Sequence, residues 1–159
     1  MLTFRAMADR DRSAALHLLT EFFAANPFYR ENQTAYGLAG AQALATALRL
    51  FVERPQFGFV WMAFDGELAV GCSIVSYAIS TAVGGVVAKV EDVIVAPERR
   101  RTGVGSALVR ALADELHRSR IARIDTYVHE RDVAAALFYK KLGFVRLHEE
   151  RLALVLTEA

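Results

Sequence analysis

Three consecutive arginines stand against two glycines in Pro97-Glu98-Arg99-Arg100-Arg101-Thr102-Gly103-Val104-Gly105-Ser106, where an apolar run ends and a helical pattern begins. That pairing of charge with bare backbone suits an anion. Glycines in the first turn of a helix leave unpaired N–H groups and the positive end of the helix dipole open to close approach. The arginines then neutralise what approaches. One pyrophosphate fits such a site better than a nucleic acid, which expects a broad basic face, because the formal net charge is only +1. Neither common nucleotide fingerprint is present: position 108 is Leu, so no Gly-x-Gly-x-x-Gly is completed, and no Gly-Lys-Ser/Thr ends a P-loop. The glycines alone also admit a plainer reading, a turn followed by close helix packing. Other groups able to do chemistry flank the stretch: the carboxylate pair Glu91-Asp92 upstream and Tyr139 downstream.

The elements that would position them follow from the pattern of apolar residues. Leu2 to Ala6 reads as a short strand, with Asp9 as a helix cap before Ala15, Leu18, Leu19, Phe22 and Phe23, which recur at helical spacing up to Asn26-Pro27. A second stripe through Leu38, Ala41, Ala45, Leu48 and Val52 stops at Pro55. The period then changes. Phe57 to Phe64 and Leu68 to Ile79 read as a hairpin turning at Asp65-Gly66, and Gly84-Gly85 leads into a third antiparallel strand, Val86 to Val95. A helix follows from about Gly103 to His117, then a strand from Ile124 to Val128, and a helix from Asp132 to Leu142 closed by Gly143. Phe144 to Leu147 and Leu152 to Leu156 are expected as two last strands. The result is an α/β (α+β) order without repeat or linker, expected as one domain over residues 1–159, with a mixed, mostly antiparallel sheet flanked by helices.

Composition narrows the class. At 54% hydrophobic and 23% charged, the chain should fold around one core. Its single cysteine, Cys72, permits no internal disulfide and reads as a small buried hydrophobe. With no apolar signal core and no segment of membrane-spanning length, the expected location is the cytoplasm, with no membrane partner. His17, His117, His129 and His148 lack metal-ligand spacing, so no metal is expected. No Gly-x-Ser-x-Gly elbow or nucleophilic cysteine setting points to a covalent intermediate.

The chain resembles the GNAT superfamily of acetyl-coenzyme A dependent N-acetyltransferases. The resemblance rests on Arg100-Arg101-Thr102-Gly103-Val104-Gly105, preceded by Asp92-Val93-Ile94-Val95-Ala96-Pro97, and on a later block, Ala135 to Phe144, containing Phe138-Tyr139 and Gly143-Phe144. It implies a GNAT fold and acetyl-CoA as co-substrate. Backbone amides from Arg101 to Ser106 would hold the pyrophosphate, with Arg100 in the signature, and Val93 to Val95 would pair main chain with the pantetheine arm. Asp132 stands where the family often has Asn, and a helix-capping role suits it better.

Acetyl transfer to an amine requires the nitrogen to lose a proton and the departing thiolate to gain one. An alkyl amine resembles lysine, with a pKa of about 10.4, and so needs a base. Strand alternation puts Lys89, Glu91, Val93 and Val95 on one face and Ala88, Val90, Asp92 and Ile94 on the other, although a bulge would exchange the two carboxylates. Val90-Glu91-Asp92-Val93 is similar to a run in polyamine-acetylating members whose glutamate belongs to the active site, which selects Glu91 as base; an exposed ion pair with Lys89 or an arginine is the plain alternative. Tyr139 is the family's usual general acid, its phenol (about 10) lying above a thiol (about 8.5). The expected acceptor is a small-molecule primary amine. Phe28, Tyr29, Glu31 and Tyr36 fall where an acceptor would bind. A protein or peptide amine, a non-catalytic acyl-CoA-binding module and a nucleic-acid binder are the competing readings. The apolar run Leu152 to Leu156 is compatible with a homodimer, since family members often dimerise through their last strands.

Overall fold

The computed structural model describes residues 1–31 and 40–156. Five strands lie side by side in chain order: β1 (Leu2–Ala6), β2 (Gly58–Asp65), β3 (Leu68–Ser80), β4 (Gly85–Val95) and β5 (Ile124–Thr126). The first four pair antiparallel. β5 pairs parallel to β4. The parallel pairing is reached through α4 (Val104–Arg118), the crossover helix that a parallel connection needs. Before β2 come α1 (Arg12–Ala25), α2 (Pro27–Glu31) and α3 (Gly40–Glu53); α5 (Val133–Lys141) follows β5.

Each face of the sheet carries its own apolar cluster. Val60, Met62 and Phe64 of β2 join Cys72 and Ile94 beneath Ala15, Leu18 and Leu19 of α1 and Leu48 of α3. On the other face Trp61, Ala63, Val75, Ala88 and Val90 pack against Val104, Leu108, Leu112 and Leu116 of α4. The alternation of β2 between the two clusters is the period of two expected of a strand covered on both sides. The i, i+4, i+8, i+12 spacing in α4 is the matching stripe of a helix.

Three expectations need correction. Asp9 is not the cap of the first helix: the buried Asp11 carboxylate accepts from the Ala8 N–H at 2.8 Å and binds Arg5, while Asp9 pairs with Arg12 at 2.7 Å. The helix beginning thus locks to β1 through a side chain two residues further on, Asp11 on Arg5. The expected strands at 144–147 and 152–156 do not form; Val145, Leu147, Leu152, Leu154 and Leu156 are exposed. Apolar alternation makes a strand only where another strand edge supplies hydrogen-bond partners. The third correction concerns β4 and decides the site. Leu38 and Tyr36 lie outside the described residues, as does the side chain of Glu31.

Candidate active site

After β4 the chain makes a short 3-10 turn, Pro97–Arg99, and reaches α4 through Arg101 and Gly103, both left-handed at φ 62° and 90°. Left-handed residues on either side of Thr102 curl successive N–H groups towards one concavity. Gly103 is the N-cap of α4 and has no side chain to satisfy the first-turn N–H groups of Val104, Gly105 and Ser106. A side chain at Gly103 would meet nothing within 4 Å, so the cradle is open. Amides without partners at a positive helix end fit a pyrophosphate.

The three arginines divide their work. Arg99 reaches back to the β2–β3 turn and pairs with Asp65 at 2.7 Å, and the Thr102 hydroxyl donates to the Arg99 carbonyl at 2.6 Å. These contacts hold the shape of the loop. Arg100 donates through Nε to the Val95 carbonyl at 3.2 Å, while both Arg100 and Arg101 remain exposed beside the cradle. Val104 is a core residue, so its backbone N–H is the part that faces an anion. A Cβ on Gly105 would stand 3.4 Å from Val95 and 3.5 Å from Phe138, which brings the cradle helix against both β4 and α5. Gly105 therefore serves close packing as well as the cradle.

Beside this loop β4 loses its regular pairing. Ile74 of β3 faces Glu91 and Cys72 faces Ile94, so Ser73 alone spans Asp92 and Val93. Two residues against one is a bulge, and Asp92 within it adopts a left-handed φ of 52°. The bulge shifts the alternation by one: Ala88 and Val90 before it, and Val93 and Val95 after it, all pack towards α4. Glu91 consequently does not share a face with Val93 and Val95, contrary to strict alternation. It lies opposite Ile74, on the face covered by α1 and α3. Pairing with β5 ends at Val90–Thr126, and no described strand pairs with that edge of β4 beyond it. On the part of that edge beyond Val90, the Val95 carbonyl accepts from Arg100.

Asp92 lies in the bulge, and its charge acts on Tyr139 of α5. Burial, reinforced by the neighbouring Glu91 charge and opposed by Arg151, pushes the Asp92 carboxyl up to about 6. Tyr139 is buried, its ring edge-on to Phe138 at 5.1 Å and Phe144 at 5.2 Å. Its phenol is raised above the ordinary value by burial, with Asp92 and Asp132 adding to the effect and a hydrogen bond with the Thr126 side chain opposing it. The Thr126 hydroxyl itself donates to the Val90 carbonyl at 2.8 Å. Asp132 accepts from the Ala135 N–H at 2.9 Å, the capping role expected of it. Cys72 is fully buried and its thiol is pushed up to about 12, far from a nucleophile.

At α2, the Phe28 ring stacks on His129 at 4.5 Å, joining α2 to the loop after β5. Tyr29 stacks on Phe23 of α1 at 4.3 Å and so packs helix to helix. Two surface hollows of about 350 and 330 Å³ lie elsewhere, lined in part by Arg5 and Arg10 and by His17 and Glu98; neither is lined by Glu91, Asp92 or Tyr139. Among the described residues no group of His, Cys, Asp or Glu could hold a metal, and no helix is long and apolar enough to cross a membrane.

The raised Asp92 carboxyl has a testable cost. A group that binds its proton more tightly when folded contributes stability below its unfolded value, near 4, and loses it as pH rises through about 6. Above that range the folded protein carries a buried charge costing up to about 3 kcal/mol. Asp92→Asn keeps the left-handed backbone, which Asn tolerates. The variant is expected to melt at a higher temperature than the wild type at pH 8 and at nearly the same temperature at pH 4. A difference that does not change with pH would refute this account of Asp92.

The family model described as "Acetyltransferase (GNAT) domain" matches residues 56–146, more than half of the chain. No curated protein matches the sequence. Among solved structures, a Trypanosoma brucei acetyltransferase is 26% identical, with a TM-score of 0.69 over 98% of this chain and 100% of its own. An aminoglycoside acetyltransferase from an uncultured soil metagenomic sample is 16% identical, with a TM-score of 0.74 over 98% of this chain and 97% of its own. The ribosomal-protein-alanine N-acetyltransferase of Brucella melitensis biovar Abortus 2308 is 14% identical, with a TM-score of 0.74 over 99% and 100%. The matched span contains the bulged strand, the glycine cradle and the buried tyrosine, and the chain belongs to the GNAT family of N-acetyltransferases, which take their acetyl group from acetyl-CoA.

Proposed function

We propose that the protein transfers an acetyl group directly to the primary amine of a small cationic molecule, with Glu91 taking a proton from the amine and Tyr139 giving one to the departing sulfur. The observation that carries this reading is the bulge at Asp92-Val93. It turns Glu91 to the opposite face from Val93 and Val95, on the stretch of β4 beyond the end of the β5 pairing. An activated thioester lying along that stretch would pass between an acid and a base on different sides of the strand. Acetyl-CoA supplies the activated acyl group. The amides of Arg101 to Ser106 would bind its pyrophosphate, Arg100 and Arg101 would screen the charge, and Val93 and Val95 would pair with its arm.

Glu91 works by shifting an equilibrium. The acceptor nitrogen, with a pKa near that of lysine (about 10.4), arrives protonated at neutral pH and must lose a proton to present its lone pair. Glu91 receives it directly or through a water. The proximity of Glu91 to Asp92 gives this part of the cleft a negative field that favours a cationic acceptor. Phe28 and His129 would form its aromatic wall. Structures of closely similar fold include an aminoglycoside acetyltransferase and a ribosomal-protein-alanine N-acetyltransferase, so the acceptor follows from the cleft and not from the fold.

The test is coenzyme A release from acetyl-CoA across polyamines, aminoglycosides, amino acids and peptides with free N-termini. Release with a small polycation and not with peptides is expected. Release with peptides alone would move the function to a protein acceptor, and acetyl-CoA binding without release on any amine would make the domain a binding module. For the responding amine, Glu91→Gln is expected to lower kcat/KM by about 10²-fold at neutral pH, with the deficit shrinking towards pH 10 as free amine becomes abundant. A deficit that is constant with pH would remove Glu91 from proton transfer.

A further inference from the structure

A buried hydroxyl marks the bulge. Tyr139 and Trp61 apart, Asp11 and Ser73 are the buried polar or charged residues among those described. Asp11 ties the start of α1 to β1. Ser73 is fully buried on β3, opposite Trp61 of β2, which packs into the apolar cluster beneath α4. A hydroxyl in such surroundings is costly unless it finds a partner. That partner is in the bulge: Ser73 Oγ donates to the Glu91 carbonyl at 3.3 Å. Ser73 is also the residue of β3 that spans Asp92 and Val93.

Glu91 is held from two sides. The Thr126 hydroxyl of β5 donates to the carbonyl before it, that of Val90, at 2.8 Å, and Ser73 of β3 donates to the carbonyl of Glu91 itself. The two peptide groups flanking the Glu91 Cα are therefore tethered by hydroxyls from different neighbouring strands. The second peptide matters more. Turning the group between Glu91 and Asp92 changes the ψ of Glu91 and the φ of Asp92 together, and that φ is the left-handed 52°. A residue with a Cβ keeps such a conformation only where its surroundings hold it. Val90 and Val93 are fixed in the cluster beneath α4, so the residues left to move are Glu91 and Asp92 between them.

We propose that Ser73 is a positioning residue for Glu91: its hydroxyl holds the Glu91–Asp92 peptide, and with it the side of β4 on which the Glu91 carboxylate stands. The inference rests on the reading of Glu91 as the base. Ser73 exchanges no proton with a substrate. It acts through the backbone, by keeping the carboxylate where an acceptor amine would meet it.

Ser73→Ala removes the hydroxyl, and Ser73→Thr keeps it. Loss of one hydrogen bond between neutral groups corresponds to a factor of up to about ten. With the amine that releases coenzyme A, Ser73→Ala is expected to lower kcat by about tenfold with little change in KM for acetyl-CoA, and Ser73→Thr to recover most of the loss. The deficit should shrink towards pH 10, as for Glu91→Gln, because a displaced base matters less once free amine is abundant. In a Glu91→Gln background Ser73→Ala is expected to cause no further loss, since the group it places is already inactive. A readout free of turnover is the backbone of Asp92, whose 13Cα and 13Cβ chemical shifts distinguish a left-handed from an extended φ. They should move towards extended values in Ser73→Ala and stay in place in Ser73→Thr.

Equal losses from Ser73→Ala in both backgrounds, a deficit constant with pH, or Asp92 shifts unmoved by the substitution would overturn the proposal and leave Ser73 as a packing residue. Thermal melts identify any loss due to unfolding. Should Ser73→Ala not fold, Ser73→Cys, which fills the site with a weak donor, carries the same comparison. If Glu91→Gln by itself keeps full turnover, the base assignment falls, and the proposal falls with it. If Glu91→Gln is impaired and Ser73→Ala is not, the proposal for Ser73 falls alone.

Discussion

Tyr139→Phe is expected to lower kcat by about 10²- to 10³-fold, within the range of a lost general acid, while acetyl-CoA binds with unchanged affinity. The division between turnover and binding follows from where the residue sits. Its ring is packed between Phe138 and Phe144, and Phe preserves that packing. The proposed pyrophosphate cradle belongs to the preceding loop and to α4, which the substitution does not touch. Only the oxygen is removed. Because burial raises the phenol above its ordinary value, the acid stays protonated throughout the neutral range. Activity dependent on it should therefore persist as pH rises and fail only above the usual phenol range, through a limb that Tyr139→Phe abolishes. Steady-state kinetics against pH, with calorimetric binding of acetyl-CoA, tests both parts. Unchanged turnover would remove Tyr139 from the chemistry, and weakened binding with unchanged kcat would make it a binding residue.

Gly58→Ala is expected to destabilise the fold by more than about 4 kcal/mol, in the range reserved for severe backbone conflict. Gly58 opens β2 directly after the 3-10 turn Pro55–Phe57 and pairs with Ser76 of β3. Its φ is 146°, a conformation open to glycine and strained for any residue with a Cβ. The geometry also leaves no room: a Cβ there would stand 2.0 Å from the Val75 carbonyl oxygen and 2.9 Å from the Ser76 Cα. Both are backbone atoms of the partner strand, so relief requires β2 and β3 to part. That pairing underlies both apolar clusters, since β2 sends Val60 to one and Trp61 to the other. Denaturant unfolding should show a large drop in midpoint or loss of soluble protein. A variant of near wild-type stability would mean that β2 does not enter the sheet as described.

Much of this fold was legible in residues close together in the chain. The hairpin at Asp65-Gly66, the Val104 to Leu116 stripe and the glycines ahead of it depend on local periodicity and turn chemistry, and each appears where the pattern placed it. The same local character marks the glycine loop proposed as the cofactor cradle. Its N–H groups, helix end and arginines are neighbours in sequence, so reading the sequence was enough to bring them together. Asp132 as a cap is a contact across three residues and was read for the same reason.

Tertiary structure decided what depends on two segments at once. Whether Glu91 shares a face with Val93 is a matter of counting residues of β4 against residues of β3, and the single Ser73 opposite two residues changes the count. The last strands were expected from alternation alone, yet a strand is a relation between two edges, and no strand forms at 144–147 or 152–156. Asp11 displaced Asp9 because the carboxylate nearer Arg5 in space is the one the fold buries. The raised Asp92 carboxyl comes chiefly from desolvation, which the segments folded around it impose. Periodicity and capping are properties of a few consecutive residues and can be read along the chain; register, burial and proton affinity are set by atoms from distant segments and exist only once the chain has folded.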